Sequence, residues 1–199
     1  MQFLETTDDL TALYGTPGEA SLIKVANHLT PSYRAWIEAS RFCVLSTVGK
    51  DGTDGSPRGD GGPVVLALDK ETLALPDWRG NQRLDTLRNI VADPRISLMF
   101  MVAGSNSVLR VNGAARITAD TDLRARFEKA GKTPATVIVI RIAEVYSQCA
   151  RALMRADLWG GDQSAGLSSV GDMLVEMKQG FDGASYDKEW PARAKESLW

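Results

Sequence analysis

Histidine and cysteine are scarce in this sequence, which holds one histidine, His28, and two cysteines, Cys43 and Cys149. A metal site with several histidine ligands is therefore excluded. Two distant thiols give neither a disulfide framework nor a zinc-binding spacing. We interpret Cys43 and Cys149 as buried structural thiols because each lies near an apolar run. His28 falls in an apparent N-terminal helix, where we expect a surface position.

Long apolar runs and an excess of one charge are also missing. No stretch approaches the ~20 apolar residues of a membrane helix, and the polar, acidic first ten residues are unlike a signal peptide. The formal net charge is −2, with basic and acidic residues interleaved, which is not typical of a nucleic-acid-binding protein. We therefore expect a cytoplasmic globular protein, in which an anionic ligand would need a local cluster of cations.

The hydrophobic period changes along the chain from helical to strand-like. Apolar stripes predict helices at 7–14, 19–29 and 31–40. A period of two then predicts short strands at 42–48, 53–58, 63–68, 73–75, 95–102, 108–118 and 136–146. Helices are expected at 82–92, after Asp120, after Cys149 and at 172–178, while the last residues are aromatic without periodicity.

These elements predict a single mainly β domain of the α+β type over residues 1–199. A helical extension covers residues 1–40, a barrel covers 41–149, and a C-terminal helix and tail cover 150–199. Asp51-Gly52 is a typical hairpin turn. Six or seven short strands favour an antiparallel barrel, because closure removes the exposed edges that short strands would present.

The strand over 108–118 shows the clearest alternation. Leu109, Val111, Ala115 and Ile117 share one face, while Arg110, Asn112 and Arg116 share the other. Because successive strand residues point to opposite faces, the first set is expected to face the core and the second to leave it.

Two segments are polar where the neighbouring strands are apolar. The first covers residues 56–62 and begins Ser56-Pro57-Arg58-Gly59; the second covers 77–83 and contains Asp77, Trp78, Asn81, Gln82 and Arg83. Glycines let a backbone approach a ligand closely, and arginines beside a helix N-terminus suit a phosphate. The alternative is that both segments are ordinary solvated loops, since neither matches a known phosphate-binding motif.

The order of these motifs resembles the pyridoxamine 5′-phosphate oxidase-related family of flavin mononucleotide (FMN)-binding split barrels. The likeness spans roughly residues 36–160 and rests on the order of its motifs, which lie at 41–47, 51–52, 56–60, 77–83, 89–90, 93–94, 109–115 and 149–159. It implies a homodimeric antiparallel split β-barrel that holds FMN at the subunit interface.

The resemblance also implies a set of cofactor-binding residues. Arg58 and Arg83, helped by Asn81 and Gln82, would bind the FMN phosphate. The backbone of residues 56–59 would follow the ring or the ribityl chain, with Asp77 in the same site. Arg110, Asn112 and Trp159 would reach the flavin from the other subunit.

The sequence departs from true pyridoxamine phosphate oxidases near its C-terminus, where their substrate-binding arginine and histidine have no counterpart. We therefore expect an FMN-dependent oxidoreductase with a small-molecule substrate other than a B6 phosphate. Two alternatives stay open: a non-catalytic FMN carrier or sensor, and a split barrel that uses the deazaflavin F420 or another ligand.

Overall fold

The computed structural model describes residues 1–50 and 52–199, and seven strands in these residues form one antiparallel sheet. The spatial order of the strands is β2-β1-β5-β6-β7-β4-β3. Their bounds are β1 Phe42–Gly49, β2 Gly52–Gly59, β3 Leu66–Ala67, β4 Thr72–Asp77, β5 Arg95–Met101, β6 Val108–Thr118 and β7 Thr136–Gln148.

The sheet curls into a split barrel, as the sequence predicts. Strands β2 and β4 are not paired with each other, yet side chains join them: Arg58 on β2 forms an ion pair with Asp77 on β4. We call this gap between β2 and β4 the seam. The barrel interior is filled by aliphatic side chains and one phenylalanine, namely Leu45, Leu73, Leu75, Leu98, Phe100, Val111, Ile138 and Ile140.

Eight helices flank the barrel in the described part of the chain. They are α1 Thr7–Tyr14, α2 Glu19–Ile23, α3 Pro31–Ala39, α4 Asp85–Ala92, α5 Thr121–Ala125, α6 Arg151–Ala156, α7 Val170–Met177 and α8 Gly183–Ser197. Helix α3 buries Ile37 completely against the core. None of the helices described is long and apolar enough to cross a lipid bilayer.

Strand β6 has the predicted bounds and the predicted alternation. Val111 and Ala115 are buried, whereas Arg110 and Asn112 on the other face are partly exposed. A β-bulge interrupts its pairing with β7 between Asn112 and Gly113. A Cβ at Gly113 would overlap the carbonyl oxygen of Arg141, so the bulge requires glycine there.

Several predicted boundaries are wrong for identifiable reasons. The helix predicted at 82–92 begins only at Asp85, because Gln82 and Leu84 adopt positive φ angles of 61° and 62°. The apolar run 63–68 contributes only the two-residue strand β3, and the helix predicted at 19–29 ends at Ile23. The hairpin turn predicted at Asp51-Gly52 involves Asp51, which lies outside the described residues.

Three further expectations are corrected by the structure. Cys43 is buried as predicted, but Cys149 is exposed. His28 lies in a bend after α2 rather than in a helix, and it is partly exposed. The aromatic C-terminal stretch without periodicity forms most of the 15-residue helix α8.

Candidate functional site

A pocket of about 1620 Å³ lies at the seam. Both polar segments line it, so the structure brings together eight of the residues predicted for the cofactor. These are Ser56, Pro57, Arg58, Gly59, Asp77, Asn81, Gln82 and Arg83. The two segments are some twenty residues apart in sequence, and they meet here because β2 and β4 face each other across the seam.

Arg58 is a largely enclosed cation of this pocket. It is partnered in register with the buried Cys43, so its side chain points inward across the seam. Its Nη1 donates to Oδ1 of Asp77 at 2.6 Å, and the two side chains are only 17% and 15% exposed. Its Nε is buried without a hydrogen-bond partner among the described residues, so one N–H donor of the guanidinium makes no hydrogen bond there.

Arg83 lies on the same pocket in a much more open setting. Its side chain is 75% exposed, and its Nε donates to the Asp85 carboxylate at 2.8 Å. Its backbone amide donates to Oδ1 of Asn81 at 3.1 Å, which closes a short turn. Arg83 therefore lies at the rim of the pocket, while Arg58 lies within it.

Helix α4 begins beside this turn without a side-chain cap. Leu84 occupies the N-cap position in the left-handed region and supplies no acceptor. The first amides of a helix carry partial positive charge and need acceptors. Two side-chain hydrogen bonds join this helix to the barrel: Thr86 donates to Asp54 at 2.8 Å and Asn89 donates to Thr47 at 3.1 Å.

A second wall of the pocket is aromatic and cationic. Trp78 donates its Nε1 hydrogen to Asp60 at 3.2 Å, and Lys129 forms an ion pair with the same carboxylate. The Asp60 side chain is only 3% exposed, and burial lowers the pKa of the Lys129 ammonium. Trp199 packs edge-on against Trp78 with ring centroids 5.3 Å apart.

Three residues of this wall, Asp60, Lys129 and Trp199, are absent from the set predicted to bind the cofactor. Asp60 lies inside the polar segment 56–62, so its presence in the site was available from the pattern. Lys129 and Trp199 carry no such signal. Trp199 lines the pocket from just beyond α8, and Lys129 contacts Asp60 and Trp199 from a turn before β7. No motif or spacing links positions so far apart in sequence.

Three predicted flavin contacts lie outside the seam pocket of the same chain. Arg110 is on the outer face of β6, where its guanidinium lies 5.3 Å from the ring centre of Tyr146. Asn112, also on that face, donates to Glu144 at 2.6 Å. Trp159 follows α6, and its indole donates to the carbonyl oxygen of Ser105 at 2.9 Å.

One buried nucleophile lies behind the pocket. Burial raises the pKa of the Cys43 thiol to about 12 from its ordinary 9.0, and the nearby positive charge of Arg58 opposes part of this rise. The thiol is therefore protonated at neutral pH. No group of three or more potential metal ligands occurs among the residues that the structure describes.

Comparison with solved structures supports the fold. HupZ of Group A Streptococcus is 17% identical to this chain and superimposes with a TM-score of 0.50, over 60% of this chain and 93% of that one. General stress protein 26 of Bacillus anthracis is 19% identical, with a TM-score of 0.45 over 57% of this chain and 88% of that one. At such identities the first likeness shows a shared fold and no more.

Family assignment rests on the sequence itself. No curated protein matches the chain. The family described as pyridoxamine 5′-phosphate oxidase matches residues 29–149, which is more than half of the chain and includes all seven strands. The matched region also contains both polar segments of the seam pocket. The chain therefore belongs to the pyridoxamine 5′-phosphate oxidase family.

Proposed function

We propose that this protein binds FMN in the seam pocket and acts as a flavin-dependent oxidoreductase. The observation that carries the proposal is the meeting of residues 56–59 and 77–83 in one pocket, with Arg58 largely enclosed and Arg83 at its rim. Family membership supports the same reading, since a flavin is the cofactor that the resemblance implies.

The phosphate would be bound by Arg58 and Arg83, both of which line the pocket. Arg58 is held by Asp77 and lines the pocket, so its guanidinium would donate to an anionic oxygen there. Arg83, Asn81 and the uncapped start of α4 lie in the same stretch. Together they fit an anionic group better than a neutral one.

The ring and ribityl chain would lie along residues 56–59 of β2. A Cβ at Gly55 would have open space around it, and one at Gly59 would have only ordinary contacts, the nearest at 3.8 Å. The backbone of β2 is therefore unobstructed at these two glycines, and residues 55–59 all line the pocket. Trp78 adds an aromatic surface to the pocket.

The active unit would be a homodimer with FMN at the subunit interface. Met99, Arg110 and Tyr146 form a row across three neighbouring strands on the outer face of the barrel. Met99 remains 39% exposed there, beside a small pocket of about 300 Å³ that it lines with Arg110. Closed two-fold pairing is the commonest way to cover such a face, and it would bring Arg110, Asn112 and Trp159 toward the partner's flavin.

Bound flavin supplies the redox chemistry, while the chain binds, orients and shields it. In this arrangement Arg58 and Arg83 hold the anionic end. Asp77 fixes the guanidinium of Arg58, and the walls of the seam exclude water from part of the ring.

The proposal is tested by the absorption spectrum of the purified protein and by chromatography of the ligand that it releases on denaturation. Flavin absorption with released FMN supports the cofactor assignment, whereas released FAD or F420 contradicts it. Bleaching by NADH or NADPH with recovery in air supports an oxidoreductase. A flavin that resists both reductants in the presence of air supports the carrier or sensor instead.

A further inference from the structure

Trp199 makes an unusual set of contacts for a residue that lies beyond the last helix. Its indole packs edge-on against Trp78, with ring centroids 5.3 Å apart and planes 77° apart. The Lys129 ammonium lies 4.3 Å from the centre of the same ring. The backbone oxygen of Trp199 accepts a hydrogen bond from Lys132 at 2.9 Å.

These contacts join three separate segments that border the seam. A Cβ at Gly61, in the loop after β2, would lie 3.9 Å from the Trp199 ring. Trp78 directly follows β4, while Lys129 and Lys132 form a turn before β7. One side chain thus connects the segments that follow both strands of the seam, at a wall of the pocket.

Trp199 also ends a helical hairpin that has its own internal packing. Helices α7 and α8 approach closely at Gly171 and Gly183, where a Cβ on either residue would overlap the backbone of the other. Asp187 of α8 accepts a hydrogen bond from the Gly171 amide at 2.9 Å. The two helices of the hairpin therefore pack directly against each other. The residues that follow α8, Leu198 and Trp199, line the seam pocket.

We propose that Trp199 is the latch of the seam pocket: its indole fastens the α7–α8 hairpin over the pocket wall and so controls how fast a bound flavin exchanges with solvent. This inference rests on the proposed function. An aromatic pair and a cation–π contact each stabilise the closed arrangement, and both depend on this one ring. Trp199 is a positioning residue, which touches the wall and is not required for the redox step.

The test compares Trp199→Ala with a control, Trp190→Ala, which removes an indole from helix α8 itself. Trp190 is 53% exposed and stacks on Tyr186 within the hairpin, so its loss removes an indole without touching the pocket. The first measurement is the rate of FMN dissociation from the loaded protein. The second is amide hydrogen exchange around Gly61 and Trp78 with no flavin present.

We expect Trp199→Ala to release FMN about tenfold faster than wild type, because it loses both ring contacts. Exchange around Gly61 and Trp78 should rise, Trp190→Ala should match wild type, and Trp199→Phe should restore part of the effect. Equal release and equal exchange in the two alanine variants overturn the latch. Failure of the wild type to bind FMN overturns the proposed function instead, and exchange in the flavin-free proteins then decides whether the latch exists.

Discussion

Ion pairs of the same residue types and similar length differ greatly in their surroundings in this molecule. Arg58–Asp77 and Arg95–Asp93 both join an arginine to an aspartate at 2.5–2.6 Å. The first lies across the seam with both side chains less than one fifth exposed, whereas the Arg95 side chain is 74% exposed. An exposed pair contributes little to stability, but removing one partner of an enclosed pair leaves a charge without its counterpart.

We therefore predict that Asp77→Ala lowers the free energy of unfolding by about 1–3 kcal/mol, because it leaves the enclosed Arg58 guanidinium without an acceptor. Asp93→Ala is the matched control and should change stability little. Urea unfolding of both variants measures the difference. Equal losses in the two variants would show that the seam pair has no special role.

A second prediction at this scale concerns the Cys43 thiol and alkaline pH. Its pKa is raised to about 12 in the folded chain, while the unfolded thiol titrates near 9.0. The unfolded state therefore loses its proton first, so this thiol's contribution is intact below pH 9.0 and declines between pH 9.0 and 12. The decline is at most about 1.4 kcal/mol per pH unit.

Cys43→Ala isolates this effect, since other groups also titrate at alkaline pH. The variant should show a shallower fall in unfolding free energy than wild type across this interval. Denaturant unfolding at several pH values provides the comparison. Parallel pH profiles for the two proteins would contradict a buried, protonated thiol.

At the scale of elements, strands were easier to predict than helix ends or the C-terminal hairpin. The alternation over 108–118 sets one face of β6 against the core, so the sequence determines both its bounds and its orientation. The start of α4 could not be predicted, because Leu84 adopts a left-handed conformation that only the surrounding structure imposes. Helix α8 contains Pro191 and mostly polar residues, so it has no apolar stripe from which a helix could be predicted.

The candidate site likewise contains residues that could be predicted from the sequence and residues that could not. Residues 56–59 and 77–83 stand out in sequence because polar side chains interrupt apolar strands. Trp199 lines the same pocket and Lys129 contacts Asp60 and Trp199 only through tertiary contacts, and nothing local in their sequence requires those contacts.

The bulge between β6 and β7 leads to a prediction about Gly113. A Cβ at this position would overlap a backbone carbonyl oxygen, which cannot turn aside as a flexible side chain would. Gly113→Ala should lower the free energy of unfolding by about 1–3 kcal/mol. The control Gly62→Ala should be close to neutral, since a Cβ there meets nothing within 4 Å. Indistinguishable thermal melts for the two variants would contradict a required close approach at the bulge.

At the scale of the whole molecule, the proposed dimer predicts a defined assembly state. Wild-type protein should sediment at twice the 21.6 kDa of one chain. Met99→Asp places a charge on the outer face of β5, so it should shift the protein toward monomer and reduce its flavin content together. Met173→Asp, on the 50% exposed Met173 of α7, is the control. A monomeric wild type, or a Met99→Asp dimer with full flavin content, would contradict this interface.

The central claim is that Arg58 and Arg83 bind one phosphate, and FMN titration of the double variant Arg58→Ala/Arg83→Ala tests it most directly. The matched control is Arg95→Ala/Arg141→Ala, which removes two arginines that are also paired with carboxylates but do not line the pocket. Loss of two charge-assisted contacts should weaken FMN binding by about a hundredfold or more, while the control should bind as wild type does. Equal FMN affinity in the two double variants would contradict the claim.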